Sequence, residues 1–309
     1  MESVNLKRKA TKVKKLTSDK IFDIVNAVIM VLLVLVVVLP LLYLIAMAFS
    51  DYRANSDVVF FPMIVNDANK IVPGFTLDNF KFILEYEDGL FITSFKNTAI
   101  ITIAVTLGSN ILMALAAYPL SKLNCPFRKG ILVFFIIVML FSAGVVPSLI
   151  LMTEFKLTNI VGLILISLTN VFNLLLFKTT FEGIPKELEE SAQLDGATSL
   201  QMFFKIIIPI TIPTFASCCF FTLVGCINGY SAALLFLDQA DNANKPMALV
   251  LYELMATIEA AAANNSELAL KMFNVQAAGI ILSIIPILCI YPFIIRYIKT
   301  GVTLGSVKG

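Results

Sequence analysis

The sequence predicts an all-α fold: a polytopic membrane bundle of six transmembrane helices. Three observations carry this. Hydrophobic residues make up 59% of the 309 positions and charged residues only 14%, with a mean hydropathy of +0.90, more apolar surface than a water-soluble domain of this size can hide. Six apolar runs contain no Asp, Glu, Lys or Arg, and each reaches the roughly 20 residues that a helix needs to cross the hydrocarbon core. Lys and Arg fall unevenly between the segments that join these runs.

The runs are 24–49, 97–120, 131–153, 157–177, 206–237 and 272–295. Lipid offers no partner to a free backbone N–H or C=O, so each run is expected to be helical. The fifth is longer than a span requires and carries Pro209 and Pro213 near its start; it is expected to begin outside the bilayer or to tilt. Ala46-Met47-Ala48 resembles a signal cleavage site, but the apolar stretch before it is about twice a signal core. An uncleaved anchor is the better reading.

Orientation follows from the basic residues. The tail holds Lys7, Arg8, Lys9, Lys12, Lys14, Lys15 and Lys20. With the tail in the cytoplasm, that side also takes Lys122, Arg128, Lys129, Lys178, Lys186, Lys205, Arg296, Lys299 and Lys308. Arg53, Lys70, Lys81, Lys96, Lys156, Lys245 and Lys271 remain outside. Both termini are therefore expected in the cytoplasm, in a multi-pass plasma-membrane protein. The tail, residues 1–20, reads as a solvated topology signal rather than a nucleic-acid site. Residues 21–309 read as one membrane domain. Its two long outer segments, 50–96 and 238–271, are each expected to carry a short helix, near 77–84 and 246–263.

Several chemistries lose their means. The chain has no His and no Trp, so most zinc-hydrolase, His-base and haem schemes are excluded. The cysteines Cys125, Cys218, Cys219, Cys226 and Cys289 show neither metal-ligand nor disulfide-framework spacing. Charge-free spans argue against a proton-coupled carrier, although sodium coupling through backbone carbonyls stays open. Paired carboxylates are absent from the spans, which argues against an intramembrane enzyme. Polar groups within apolar spans, Asn170, Asn173, Asn228, Tyr230 and Gln276, are expected to face the bundle interior. They either bond between helices or, with the ring of Phe172, line a solute path.

The segment between the fourth and fifth runs, 181–207, carries most information. Pro185 suits a first helical position because it has no N–H to leave unpaired. Glu187, Glu189 and Glu190 follow in the first turns, where the helix dipole favours negative charge. Asp195-Gly196 is a turn signal, and a second helix is expected from Ala197 onward, entering the membrane past Pro209. The product is a short helix presenting small residues and carboxylates to the cytoplasm.

Glu190-Ser191-Ala192, then Gly196, Ile206 and Ile208-Pro209, resembles the EAA motif of permease subunits of ABC importers. Ser191 replaces the middle alanine and Ile208 the usual leucine. Thr76-Leu77-Asp78-Asn79-Phe80, Phe141-Ser142-Ala143-Gly144-Val145-Val146-Pro147, the stretch from Phe181 to Leu188 and the C-terminal Gly301–Gly309 are similar to carbohydrate-type members, in particular an oligosaccharide subgroup. Ile227 stands where members often carry Trp. The resemblance implies a type I (MetI-like) permease architecture and a core of two permeases, with this chain in a heterodimer. It also implies two ATPase subunits that bind ATP and Mg, an external solute-binding protein and a carbohydrate solute. The chain itself has no Gly-x4-Gly-Lys-Ser/Thr phosphate loop, so it is expected to bind no cofactor and to catalyse nothing. Glu187, Glu190, Ser191, Ala192, Asp195, Gly196, Ala197 and Pro209 would then form the coupling loop. An ABC permease for an amino acid, peptide or polyamine is the alternative.

Overall fold

The computed structural model describes residues 17–54, 63–65, 71–141, 144–238, 241–262 and 266–305. Most of the basic tail, Ser142-Ala143 of the third-run pattern, and the last four residues of the C-terminal pattern lie outside this set. The described residues form helices, with one antiparallel hairpin, β1 (Met63–Val65) and β2 (Ile71–Pro73), pairing Ile64 with Val72.

Helix α1 (Thr17–Ala48) is exposed along 20–42, an apolar face suited to lipid or to a neighbouring subunit rather than to water. Helix α2 (Asp78–Ser121) holds the second run, and its start is the outer-segment helix expected near 77–84. The two parts are separated at Tyr86–Gly89, where Glu87, Asp88 and Gly89 all have positive φ. The fourth run is α5 (Ile160–Ser167) and α6 (Val171–Glu182), which together count as one span. The helix expected near 246–263 is α12 (Met247–Ala262), and the sixth run lies within α13 (Ser266–Gly305).

Two runs are not single helices. The third divides into α3 (Arg128–Leu140) and α4 (Val145–Glu154), which meet at 104°. The fifth breaks at Thr211. A chain of α8 (Ser199–Met202), a π-helical turn (Phe203–Ile207) and α9 (Ile208–Ile210) meets α10 (Ile212–Asn228) at 79°. Pro209 and Pro213 have no N–H to give to the carbonyls four residues back, and Thr211 Oγ1 bonds to the Ile207 carbonyl at 2.8 Å. The expected tilt is therefore a sharp bend, and α11 (Ser231–Phe236) is a separate piece. Among the described residues, four helices are long and apolar enough to span a membrane, and up to six if each bent pair is one span.

Hydrophobicity cannot drive helices together inside lipid, so close contact and hydrogen bonds must. Helix α13 approaches α12 and α2 at Gly279, where a Cβ would lie 2.6 Å from Leu251 Cδ2. Asn79 Nδ2 donates to the carbonyls of Ala48 (3.0 Å) and Ser50 (2.8 Å), and Asn274 Nδ2 donates to Ser50 (2.9 Å). These bonds gather the ends of α1, α2 and α13 at one end of the bundle. Nearby, the Arg53 side chain donates to Asp51 and holds its carboxyl below the usual carboxylate range. At the opposite end, Phe177, Phe181, Phe203 and Ile207 pack beneath the segment that joins α6 to α10.

Candidate functional site

That joining segment builds α7 (Lys186–Leu194). Pro185 caps it one position earlier than expected, with φ −56° and ψ 131°. Its first turn carries Glu187 and Glu189, which complement the helix dipole. At its far end the N–H of Gly196 bonds to the Gln193 carbonyl and that of Ala197 to the Ala192 carbonyl, each at 3.0 Å. This is a Schellman ending, with Gly196 at φ +79° supplying the left-handed residue. The site for a Cβ on Gly196 is open. Its backbone conformation, rather than crowding within this chain, therefore calls for glycine. The next helix begins at Ser199, not Ala197, because Thr198 and Gln201 close a reciprocal capping box.

Ala192 is the one buried residue of α7; Glu187, Glu190, Ser191, Asp195 and Gly196 are exposed and Ala197 is half-buried. Leu194 is 89% exposed and Leu200 65%. Large apolar side chains held in water at a charged end mark a surface suited to a protein partner. Pro209 lies apart from this surface, in the bent approach to α10.

The polar residues expected within spans do not form one group. Asn173 is fully buried and donates to Asn110 Oδ1 (3.1 Å) and Thr222 Oγ1 (3.0 Å), joining α6 to α2 and α10. Asn170 caps α6 by accepting from the Asn173 N–H. Gln276 reaches the Leu251 carbonyl at 3.4 Å. Phe172 and Asn228 are exposed. Tyr230 stacks on Tyr252, ring centroids 4.5 Å apart and 16° from parallel.

Comparison with known proteins decides the family. The model of the binding-protein-dependent transport system inner membrane component matches residues 110–304. The chain belongs to this family. Protein LplC of Bacillus subtilis (strain 168) is 30% identical over 94% of this chain and 96% of that protein. The polygalacturonan/rhamnogalacturonan transport system permease protein YtcP of the same organism is 30% identical over 94% and 99%. A chain of a bacterial ABC transporter involved in the import of the acidic polysaccharide alginate superposes with a TM-score of 0.76. It is 29% identical and covers 92% of this chain and 99% of that one. The chain is thus a multi-pass ABC permease, a transport subunit with the helical architecture of that family.

Three features of this permease escape sequence reasoning. Among the described residues Glu189, rather than Glu187 or Glu190, is the α7 carboxylate that pairs within the chain, accepting from Lys122 Nζ. Asn110 completes the Asn173 cluster. The turn 122–128 lies beside α7 and shares with it a cavity of about 690 Å³. Asn110 had a readable signal: Ser94, Thr98, Thr102, Thr106 and Asn110 recur every fourth residue, marking a polar stripe down one face of α2.

Proposed function

We propose that this chain is one of two permease subunits of an ATP-driven, binding-protein-dependent importer of carbohydrates, with oligosaccharides as cargo. The observation that carries the reading is α7. It is a short helix with a glycine-terminated end, held outside the bundle with one buried residue and a rim of exposed carboxylates and leucines. The family and the polysaccharide names of its relatives supply the solute class.

ATPase subunits, separate chains carrying ATP and Mg, meet α7 on the cytoplasmic side. Glu187 and Glu190 make charge-assisted hydrogen bonds to them, and Ser191, Ala192, Asp195, Gly196 and Ala197 give a narrow, close-fitting surface. Closure of the ATPases then moves the spans as rigid bodies. The solute, delivered by the external binding protein, passes a path to which Phe172, Asn170, Asn228, Tyr230 and Gln276 contribute; Asn173 fixes the helices that form it. Both termini lie in the cytoplasm.

The test is uptake of labelled maltotriose, raffinose and trigalacturonate by cells lacking this gene, with and without the wild-type copy. Import of a sugar only in complemented cells is expected. Unchanged uptake of all sugars with restored uptake of an amino acid or peptide would replace the solute class.

A further inference from the structure

A helix that passes on a movement must itself be firmly held. Close packing transmits displacement, whereas an empty space forfeits the contacts across it. Helix α7 is held thinly. Only Ala192 is buried, and an open groove of about 690 Å³ lies between α7 and the end of α2. One side-chain ion pair crosses from α7 to the spans among the described residues: Lys122 with Glu189.

The Lys122 end of this pair is fixed. Lys122 is the residue that ends α2. Its Nζ lies 4.6 Å from the centroid of the Tyr118 ring, and Tyr118 is wedged against Phe203 (5.2 Å) and Phe181 (6.1 Å). The side chains are 32% and 14% exposed for Lys122 and Glu189, so water screens the pair only partly. The neighbouring pairs do different work. Arg128 with Glu182 ties the start of α3 to α6, and Lys178 with Glu182 at 2.8 Å is an i,i+4 pair within α6; neither touches α7.

We propose that Lys122 and Glu189 are a positioning pair that links α7 to α2, so that displacement of α7 by the ATPase is delivered to the second span. This rests on the reading of α7 as the ATPase-docking helix. The pair touches neither solute nor nucleotide; its role is to make α7 and α2 move together.

The experiment uses the complete importer in vesicles, carrying Lys122→Glu, Glu189→Lys or both. The amount of assembled complex, MgATP hydrolysis and uptake of labelled maltotriose, raffinose and trigalacturonate are measured together. Each single change is expected to leave the complex assembled but lower sugar imported per ATP by at least about tenfold, and the double change to restore most of it. Single variants that match wild type, or a double variant as uncoupled as the singles, would overturn the pair's role. So would single variants that fail only by losing assembled complex, since that assigns the pair to stability. A wild-type complex that assembles but imports none of the sugars would instead overturn the functional reading beneath it.

Discussion

Asn173 Nδ2 donates to Oδ1 of Asn110 at 3.1 Å, fastening α6 to α2 in the middle of the bundle. The same amide reaches Thr222 on α10, whose hydroxyl donates to the Cys218 carbonyl at 2.9 Å. Buried hydrogen bonds between membrane helices are worth about 1 kcal/mol each. Asn173→Leu is therefore expected to lower stability by about 1–2 kcal/mol, read from denaturant unfolding in detergent, and to leave the KM for uptake unchanged. A raised KM at unchanged stability would place Asn173 on the solute path.

Gly196 tests the ending of α7. An L-residue at its left-handed φ costs roughly 1–2 kcal/mol, and Asn bears that conformation better than Ala. With open space at the Cβ position, backbone strain is the main penalty expected from Ala. Thermal melting of the assembled complex should rank Gly196 above Gly196→Asn, and that above Gly196→Ala.

Asn79 joins α1 to α2 by two bonds, to Ala48 and Ser50. Asn79→Ala takes the side-chain donor from the Ala48 carbonyl and leaves the Ser50 carbonyl with Asn274 alone, at a cost of about 1–3 kcal/mol. Faster proteolysis of the segment after α1 is the expected readout. Wild-type resistance would mean that Asn274, which also donates to Ser50, is sufficient.

The orientation predicts opposite labelling at two exposed positions. Leu194→Cys on α7 should react with a membrane-impermeant maleimide only when the cytoplasmic face is open, and Leu77→Cys only from outside. Their side chains are 89% and 59% exposed. The reverse pattern would overturn the assignment made from the basic residues.

Apolar length and the absence of charge were enough to locate helical runs, because lipid imposes one rule on every segment, although two of the six runs are bent pairs of helices. The end of α7 was equally legible, since Asp195-Gly196 is a local signal with a local consequence. The bends were less so. Pro209 and Pro213 announce a disturbance, but the 79° turn at Thr211 depends on how both halves pack. The break between α3 and α4 has no proline at its centre, and the apolar run 131–153 continues across it. Pairings between distant residues were the least legible. Glu187, Glu189 and Glu190 look alike in sequence, and only the fold brings Glu189 to Lys122 while leaving Glu190 exposed. Likewise, Asn228 and Tyr230 are close in sequence, yet the partner of Tyr230 is Tyr252 on another helix.

Coupling of ATP hydrolysis to solute movement through this subunit rests on α7. The most direct measurement is ATP-driven sugar uptake by vesicles holding the complete importer, with wild type or Gly196→Asp, at equal amounts of assembled complex. Uptake is expected with wild type and none above background with the variant, whose added carboxylate projects from the surface that meets the ATPase. Uptake by the variant at the wild-type rate would contradict that role of α7.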